Sequence, residues 1–165
     1  MGLSEDLERV ALQERELVLP RLDAQIAWEL GTKLRTLAVE RKLSLVIDVR
    51  RFGQPLFYAA LDGTTPDNPE WVRRKSNVVA RFHRSSYGVG LGLKQKNTTL
   101  LERQGLAVAD YATDGGSFPL TVAGAGVVGS VTVSGLPQRA DHELVVEALC
   151  AVLEREYAEL RMAAE

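Results

Sequence analysis

A basic stripe between positions 74 and 84 contains the residues best placed to do chemistry. Its basic and amide side chains recur at three- and four-residue steps, so they share one face of a helix: Arg74, Asn77, Arg81 and Arg84. Guanidinium groups bind carboxylates and phosphates in two-pronged geometry, so this face could be an anion clamp. A run of charge is also typical of a solvated helix face. Exchange of Arg74 and Arg81 for glutamine would separate the two interpretations, because only a clamp would lose binding of an acidic ligand.

Lys75 lies beside this stripe, on the side of the helix that also carries Val78 and Phe82. A lysine among apolar neighbours either extends along them until its ammonium reaches water, or points into a partly enclosed pocket. An enclosed ammonium could hold an acid group, or act in chemistry once it is desolvated. The sequence leaves both interpretations open.

Other patterns that are typical of catalytic or metal sites are weak. His83 and His142 form no H-x-x-x-H pattern, so we predict no metal site, although either imidazole or a tyrosine could ligate haem iron singly. His142 is expected to be exposed at a helix start, and Cys150 to be an inert core thiol. The stretch Gly124–Gly129 matches the dinucleotide fingerprint, but it continues as a strand and is predicted to be a hairpin turn. No residue is assigned a catalytic role.

Length and composition predict one domain over residues 1–165, with an N-terminal helical extension at 1–20 and a core at 21–155. The 20 basic and 22 acidic residues give a net charge of −2, which provides no general attraction for nucleic acid or an anionic membrane. Residues 115–138 are uncharged, but their glycines and prolines make a poor membrane-spanning helix. The N-terminus lacks a secretory pattern. We therefore expect a cytoplasmic protein with neither nucleic acid nor membrane as a partner.

Hydrophobic periodicity and turn residues predict an α+β fold. Five helices are predicted. Three cover residues 4–15, 69–84 and 98–104, and the second of these has Asn68 as its N-cap. The other two begin after the N-caps Asp23 and Asp141. Strands are predicted over 43–49, 56–61, 106–111, 118–123 and 127–134, whereas the Gly-interrupted segment 85–96 receives no element. Because tight turns join several of these strands, the five-stranded sheet should be mainly antiparallel, with helices flanking it.

The chain resembles a known group in five segments: Asp62–Asn68, Trp71–Asn77, Gly115–Pro119, Val128–Gln138 and Asp141–His142. It looks like a member of uncharacterised protein family 0303, within the wider haem-degrading (HbpS/GlcG-like) superfamily, with the similarity covering residues 20–153. The resemblance implies a profilin-like fold and a homo-oligomer of at least two chains. For the superfamily it implies haem binding and, in some members, haem breakdown or redox sensing. No matched position supplies an evident axial ligand.

The resemblance to this fold places a candidate pocket where the loop at 64–68, the helix face with Trp71 and Lys75, and the turn at Gly115 and Gly116 converge. The candidate ligand-binding residues are Thr64, Trp71, Arg74, Lys75, Arg81, Gly115 and Gly116. We predict a homo-oligomeric protein that binds haem or another small acidic molecule there. The alternatives are an enzyme that acts at the same pocket, and a structural or adaptor oligomer without a ligand.

Overall fold

The computed structural model describes residues 2–164. This part of the chain contains seven helices and five strands. The helices are α1 (Leu3–Glu16), α2 (Ala24–Glu40), α3 (Asp67–Phe82), α4 (Ser86–Gln95), α5 (Leu100–Gln104), α6 (Gln138–Val152) and α7 (Tyr157–Leu160). The strands are β1 (Val18–Leu19), β2 (Val46–Arg51), β3 (Gln54–Ala60), β4 (Ser117–Val122) and β5 (Gly126–Ser134). The predicted α+β class is confirmed. No helix in this part of the chain is both long and apolar enough to cross a bilayer.

The five strands form one sheet in the order β1-β4-β5-β2-β3. The pairs β4–β5, β5–β2 and β2–β3 are antiparallel, whereas the two-residue strand β1 runs parallel to β4. The sheet is therefore mixed but mainly antiparallel, as predicted. The predicted strand at 106–111 is wrong, and β1 takes its place as the fifth strand. Residues 108–110 form a loop whose carbonyl groups accept hydrogen bonds from side chains of α3, so they are not available for a strand ladder.

The two faces of the sheet differ in polarity. One face packs its apolar side chains, including Ile47, Phe118 and Val131, in a core with α2 and α6. Because side chains alternate along a strand, polar residues occupy the other face, where α3 packs: Asp48, Ser117, Ser130 and Thr132. Asp48 is fully buried, and the Arg50 guanidinium donates two hydrogen bonds of 2.7 Å to its carboxylate. Because this face is polar, Lys75 of α3 can lie against it, where it hydrogen-bonds to the Val133 carbonyl of β5.

Helix α4 was not predicted, because its three glycines disfavour a helix. Ser85 nevertheless begins it as an N-cap, with its hydroxyl accepting a hydrogen bond of 3.0 Å from the Gly88 N–H. Gly90 has a tertiary role, because a side chain there would overlap the Thr113 carbonyl. The local cost of glycine is thus offset by close packing of α4 on the loop before β4.

Helix α1 packs on α4, and its Gln13 side chain covers His142 of α6 together with the Tyr87 and Phe118 rings. His142 is fully buried, so the expectation that it is exposed is wrong. The His142 Nε2 lies 2.7 Å from the Gln13 Oε1, while the Gln13 amide nitrogen donates to the Leu160 carbonyl and the Glu143 carboxylate. The Gln13 oxygen is therefore the acceptor, and His142 is the neutral tautomer with its proton on Nε2. Burial and the nearby Arg139 charge lower the pKa of His142 to about 3.

This buried imidazole predicts a pH dependence of stability. Between about pH 6.5 and 3, the unfolded chain takes up a proton on His142 that the folded chain excludes, so the free energy of unfolding should fall as pH falls through this window. The slope from this one group is about 1.4 kcal/mol per pH unit. Urea denaturation at several pH values should show a shallower decline for His142→Gln than for the parent chain. Equal slopes would show that His142 does not contribute.

Candidate functional site

A pocket of about 220 Å³ lies at the end of β5, between α3 and the start of α6. Its lining comes from three stretches of the chain, at 67–75, 114–115 and 134–141: Asp67, Asn68, Trp71, Lys75, Asp114, Gly115, Ser134, Gly135, Leu136, Gln138 and Asp141. The face of α3 and the Gly115 turn therefore do meet, whereas the predicted loop at 64–68 contributes only Asp67 and Asn68, which lie in the first turn of α3.

Lys75 lies at the base of this pocket with only 2% of its surface exposed, so the enclosed interpretation is the correct one. Its Nζ donates hydrogen bonds to the Val133 carbonyl at 2.8 Å, the Gly115 carbonyl at 3.0 Å and the Asp141 carboxylate at 3.2 Å. An ammonium has three N–H donors, and all three are used. Lys75 thus joins α3 to β5, to the Gly115 turn and to α6.

Asp141 is the counter-charge of this ammonium and is equally buried, at 2% exposed. Its second carboxylate oxygen accepts a hydrogen bond of 3.0 Å from the Leu136 N–H. The prediction that Asp141 caps the last helix is wrong, because α6 begins at Gln138 and Asp141 lies inside its first turn. Burial lowers the pKa of Lys75 and raises the pKa of Asp141, and the attraction between the two charges opposes both shifts.

The glycine pair before β4 allows this close packing. Gly116 has a φ of +138°, which L side chains rarely adopt, and a Cβ there would overlap the Lys75 Nζ and the Val133 carbonyl. A Cβ on Gly115 would overlap the Gln138 carbonyl, while the Gly115 N–H donates to the Gln138 side chain. Glycine is therefore required at both positions, because other groups of the protein lie where a side chain would be.

Carboxylates dominate the charge of the pocket lining. Asp67 accepts a hydrogen bond of 3.2 Å from the Trp71 indole N–H, and the exposed Asp114 side chain has no hydrogen bond within residues 2–164. With Asp141 and the single ammonium of Lys75, the lining carries a net charge of −2. Residues 2–164 contain no group of three His, Cys, Asp or Glu side chains arranged to hold a metal ion.

Four of the predicted ligand-binding residues do not line this pocket: Thr64, Arg74, Arg81 and Gly116. The Thr64 hydroxyl donates to the Leu61 carbonyl, and Arg81 lies exposed near the end of α3. The Arg74 guanidinium lies over the Trp71 ring, 4.6 Å from its centroid, and its Nε donates to the Val108 carbonyl. By contrast, Trp71, Lys75 and Gly115 are in the lining, and Gly116 is packed against Lys75.

Most of the basic stripe interacts with the protein itself. Asn77 donates to the Asp110 carbonyl at 2.8 Å, and Arg84 forms an ion pair with Glu14 at 3.3 Å. Arg73, beside the stripe, donates to the Ala109 carbonyl at 2.9 Å. Most of the stripe thus holds a loop and α1 against α3, while Arg81 and Arg84 also remain exposed.

Sequence reasoning did not assign Asp114, Gln138 or Asp141 to the site. Asp114 directly precedes the glycine pair, and a carboxylate beside a required glycine turn is a signal that could have been used. Asp141 was interpreted as a helix cap because its buried partner, Lys75, is 66 positions away.

Residues 22–150 match the family described as haem degrading protein HbpS-like. The chain belongs to this family. A UPF0303 protein from Burkholderia thailandensis is 61% identical over 163 residues, which cover 99% of each chain, and one from Paraburkholderia phymatum is 59% identical over the same share. The predicted family is confirmed.

Solved structures share the HbpS-like fold. The crystal structure of the Ybr137w protein has a TM-score of 0.83 at 28% identity and covers 92% of this chain and 93% of its own. The PduOC:heme complex has a TM-score of 0.68 at 13% identity, with coverage of 86% and 99%. The latter similarity concerns the fold alone.

The family description raises haem as a ligand, but the pocket at Lys75 does not fit it. None of the described residues in its lining is a His, Cys, Met or Tyr, the side chains that ligate haem iron. His142 is fully buried against α1, and His83 lies at the exposed end of α3, where it stacks on Phe52. The volume of about 220 Å³ is also below the roughly 300–1,000 Å³ of pockets for drug-sized ligands.

Proposed function

We propose that this protein binds a small molecule with a cationic, hydrogen-bond-donating group, such as a primary ammonium, in the pocket at Lys75. One observation carries the proposal: the five segments on which the family resemblance rests all contribute to this pocket. In chain order they supply Asp67 and Asn68, Trp71 and Lys75, Gly115, Ser134 to Gln138, and Asp141. A shared binding site explains why these distant segments come together at one place.

The charge of the lining favours a cationic ligand. Lys75 has no N–H left for an acidic ligand, because three protein oxygens accept its hydrogen bonds. Asp114 has an exposed carboxylate without a hydrogen bond among the described residues, and the Trp71 ring already carries one cation, the Arg74 guanidinium, over its face. An acidic ligand at this pocket would face a net negative lining. The geometry therefore supports small-molecule binding with the opposite charge to that predicted from the sequence.

The same hydrogen bonds bear on the enzyme alternative. A lysine acts as a nucleophile or base through its amine nitrogen, and the Lys75 Nζ is already bonded to three protein oxygens, so a substrate would have to displace one of them. We therefore propose binding and not catalysis at this site.

Assembly into a homo-oligomer of at least two chains stays a prediction. The edge strand β3 is the surface that would carry it, because its seven residues bear no charge and Tyr58 is half exposed. Light scattering after size-exclusion chromatography would measure the mass directly.

Three probes of matched size and different charge test the ligand class: benzylamine, benzyl alcohol and benzoate. In two-dimensional NMR of the amide and indole N–H groups, benzylamine should shift the Trp71 and Gly115 signals in a saturable manner, and benzoate should not. Asp114→Asn should weaken benzylamine binding about fivefold, the effect of losing one partly exposed ion pair of about 1 kcal/mol. Asp62→Asn, at an exposed aspartate outside the pocket, is the control and should leave binding unchanged.

Benzoate binding as tight as that of benzylamine, or equal affinities of the two variants, would contradict the proposed cation site. Haem titration is a further control. Any shift of the Soret band should be the same for the parent chain and Asp114→Asn, because haem does not fit this pocket.

A further inference from the structure

A second cavity, of about 330 Å³, lies between α4, α5 and the loop that precedes β4. Its volume is within the range of cavities that hold small organic ligands. Much of its wall is apolar and comes from Leu93, Leu100, Leu106 and Tyr111. The pocket at Lys75 and this cavity share only Asp114.

Two apolar side chains of this cavity are left in water. Leu101 is 55% exposed and Val108 is 63% exposed, and they are among the most exposed large apolar residues in the described part of the chain. Covering apolar surface is favourable, because it removes that surface from water. A ligand with an apolar body would therefore gain free energy by covering these two side chains.

The cavity is preformed, because α3 fixes the loop that forms one wall. Arg73, Arg74 and Asn77 donate hydrogen bonds of 2.8–3.0 Å to three successive carbonyl groups, at positions 108–110. The Ala112 N–H donates in return to the Arg74 carbonyl at 3.1 Å. A loop held in this way has little entropy to lose when a ligand binds.

The charged groups of this cavity are complementary to an anion. Lys94 lines it, and its ammonium has no hydrogen bond or ion pair within residues 2–164. The Arg74 guanidinium uses its Nε on the Val108 carbonyl, while its two terminal nitrogens donate no hydrogen bond in the described structure. Against these two cations, the described lining has one carboxylate, that of Asp114.

We propose that this cavity binds an amphipathic carboxylate, with its hydrocarbon chain or ring against the leucines and its carboxylate on Lys94. The inference goes beyond the cation site at Lys75, because it concerns another cavity and a ligand of opposite charge. Arg74, which the sequence suggested as part of an anion clamp, contributes a second positive charge to the lining of this cavity.

Octanoate, octan-1-ol and octylamine are probes of matched chain length for isothermal titration calorimetry on the full chain. Octanoate should bind most tightly. Lys94→Gln should weaken octanoate about tenfold, equivalent to about 1.4 kcal/mol. Lys96→Gln, at an exposed lysine two positions away and outside the lining, should change its affinity less than twofold.

A second pair of variants tests the apolar wall. Val108→Asp should abolish octanoate binding, since it places a carboxylate at the rim, whereas Val39→Asp, at a position 53% exposed on α2, should not. Equal affinities for octanoate and octylamine, equal effects of the two lysine variants, or no binding of octanoate would overturn the proposal. Benzylamine binding should be unaffected by Lys94→Gln, so failure at one site is distinguishable from failure at the other.

Discussion

Lys75→Met is expected to lower the free energy of unfolding by about 3–5 kcal/mol, the usual effect of removing one partner of a buried ion pair. The substitution leaves the Asp141 carboxylate buried without its counter-charge, and the carbonyl groups of Gly115 and Val133 lose their donor. Urea denaturation at pH 7 measures the loss. Lys96→Met removes an exposed lysine and should stay within about 0.5 kcal/mol of the parent chain.

A double variant separates the unpaired charge from lost packing. Asp141→Asn added to Lys75→Met removes the buried carboxylate charge, so the double variant should be more stable than Lys75→Met alone. If Lys75→Met unfolds no more easily than Lys96→Met, the ion pair does not hold these elements together. A double variant less stable than the single one would show that the Asp141 charge is tolerated without Lys75.

Gly116→Ala is expected to have the second large effect, about 3 kcal/mol or more. The φ of +138° is strained for alanine, and the added Cβ would overlap the Lys75 ammonium and the Val133 carbonyl. Gly53→Ala is a matched control, because Gly53 also has a positive φ of +82° but has nothing within 4 Å of its ideal Cβ position. It should cost about 1 kcal/mol from backbone strain alone.

Urea denaturation of both glycine variants tests this difference. A loss at Gly116 no larger than that at Gly53 would mean that backbone strain accounts for the whole effect and that the ammonium can move aside.

The fold was predictable wherever local periodicity and tertiary structure agree. The alternation of apolar and polar residues at 127–134 predicts β5, which pairs with β4, and the turn at Gly53 predicts the hairpin of β2 and β3. Asp23 caps α2 with its side chain, as expected. Residues 106–111 show a similar apolar pattern without becoming a strand. Their carbonyl groups bind side chains of α3, and no property of the segment itself reveals those donors.

The position of the candidate pocket was predictable, but its electrostatics were not. Its position follows from the family segments, which include Trp71, Lys75 and Gly115. The state of Lys75 depends on three acceptors that lie 40, 58 and 66 positions away. A basic helix therefore appeared to offer cations to a ligand, although the protein uses most of them. Arg81 was predicted because its spacing places it on the same helix face as Arg74, and Thr64 because it lies in a segment of the family resemblance. The structure places both outside the pocket lining.

The contacts of Gln13 have a consequence for the order in which the chain can fold. Its amide joins α1 to Leu160, 147 positions later, and to His142, 129 positions later. Contacts of such sequence separation carry a loop-closure cost and slow folding. The apolar side chains of α1 pack mainly on α4, which is much nearer in the chain. Docking of α1 on α4 can therefore precede the Gln13 contacts, which close only when the segment around Leu160 is in place.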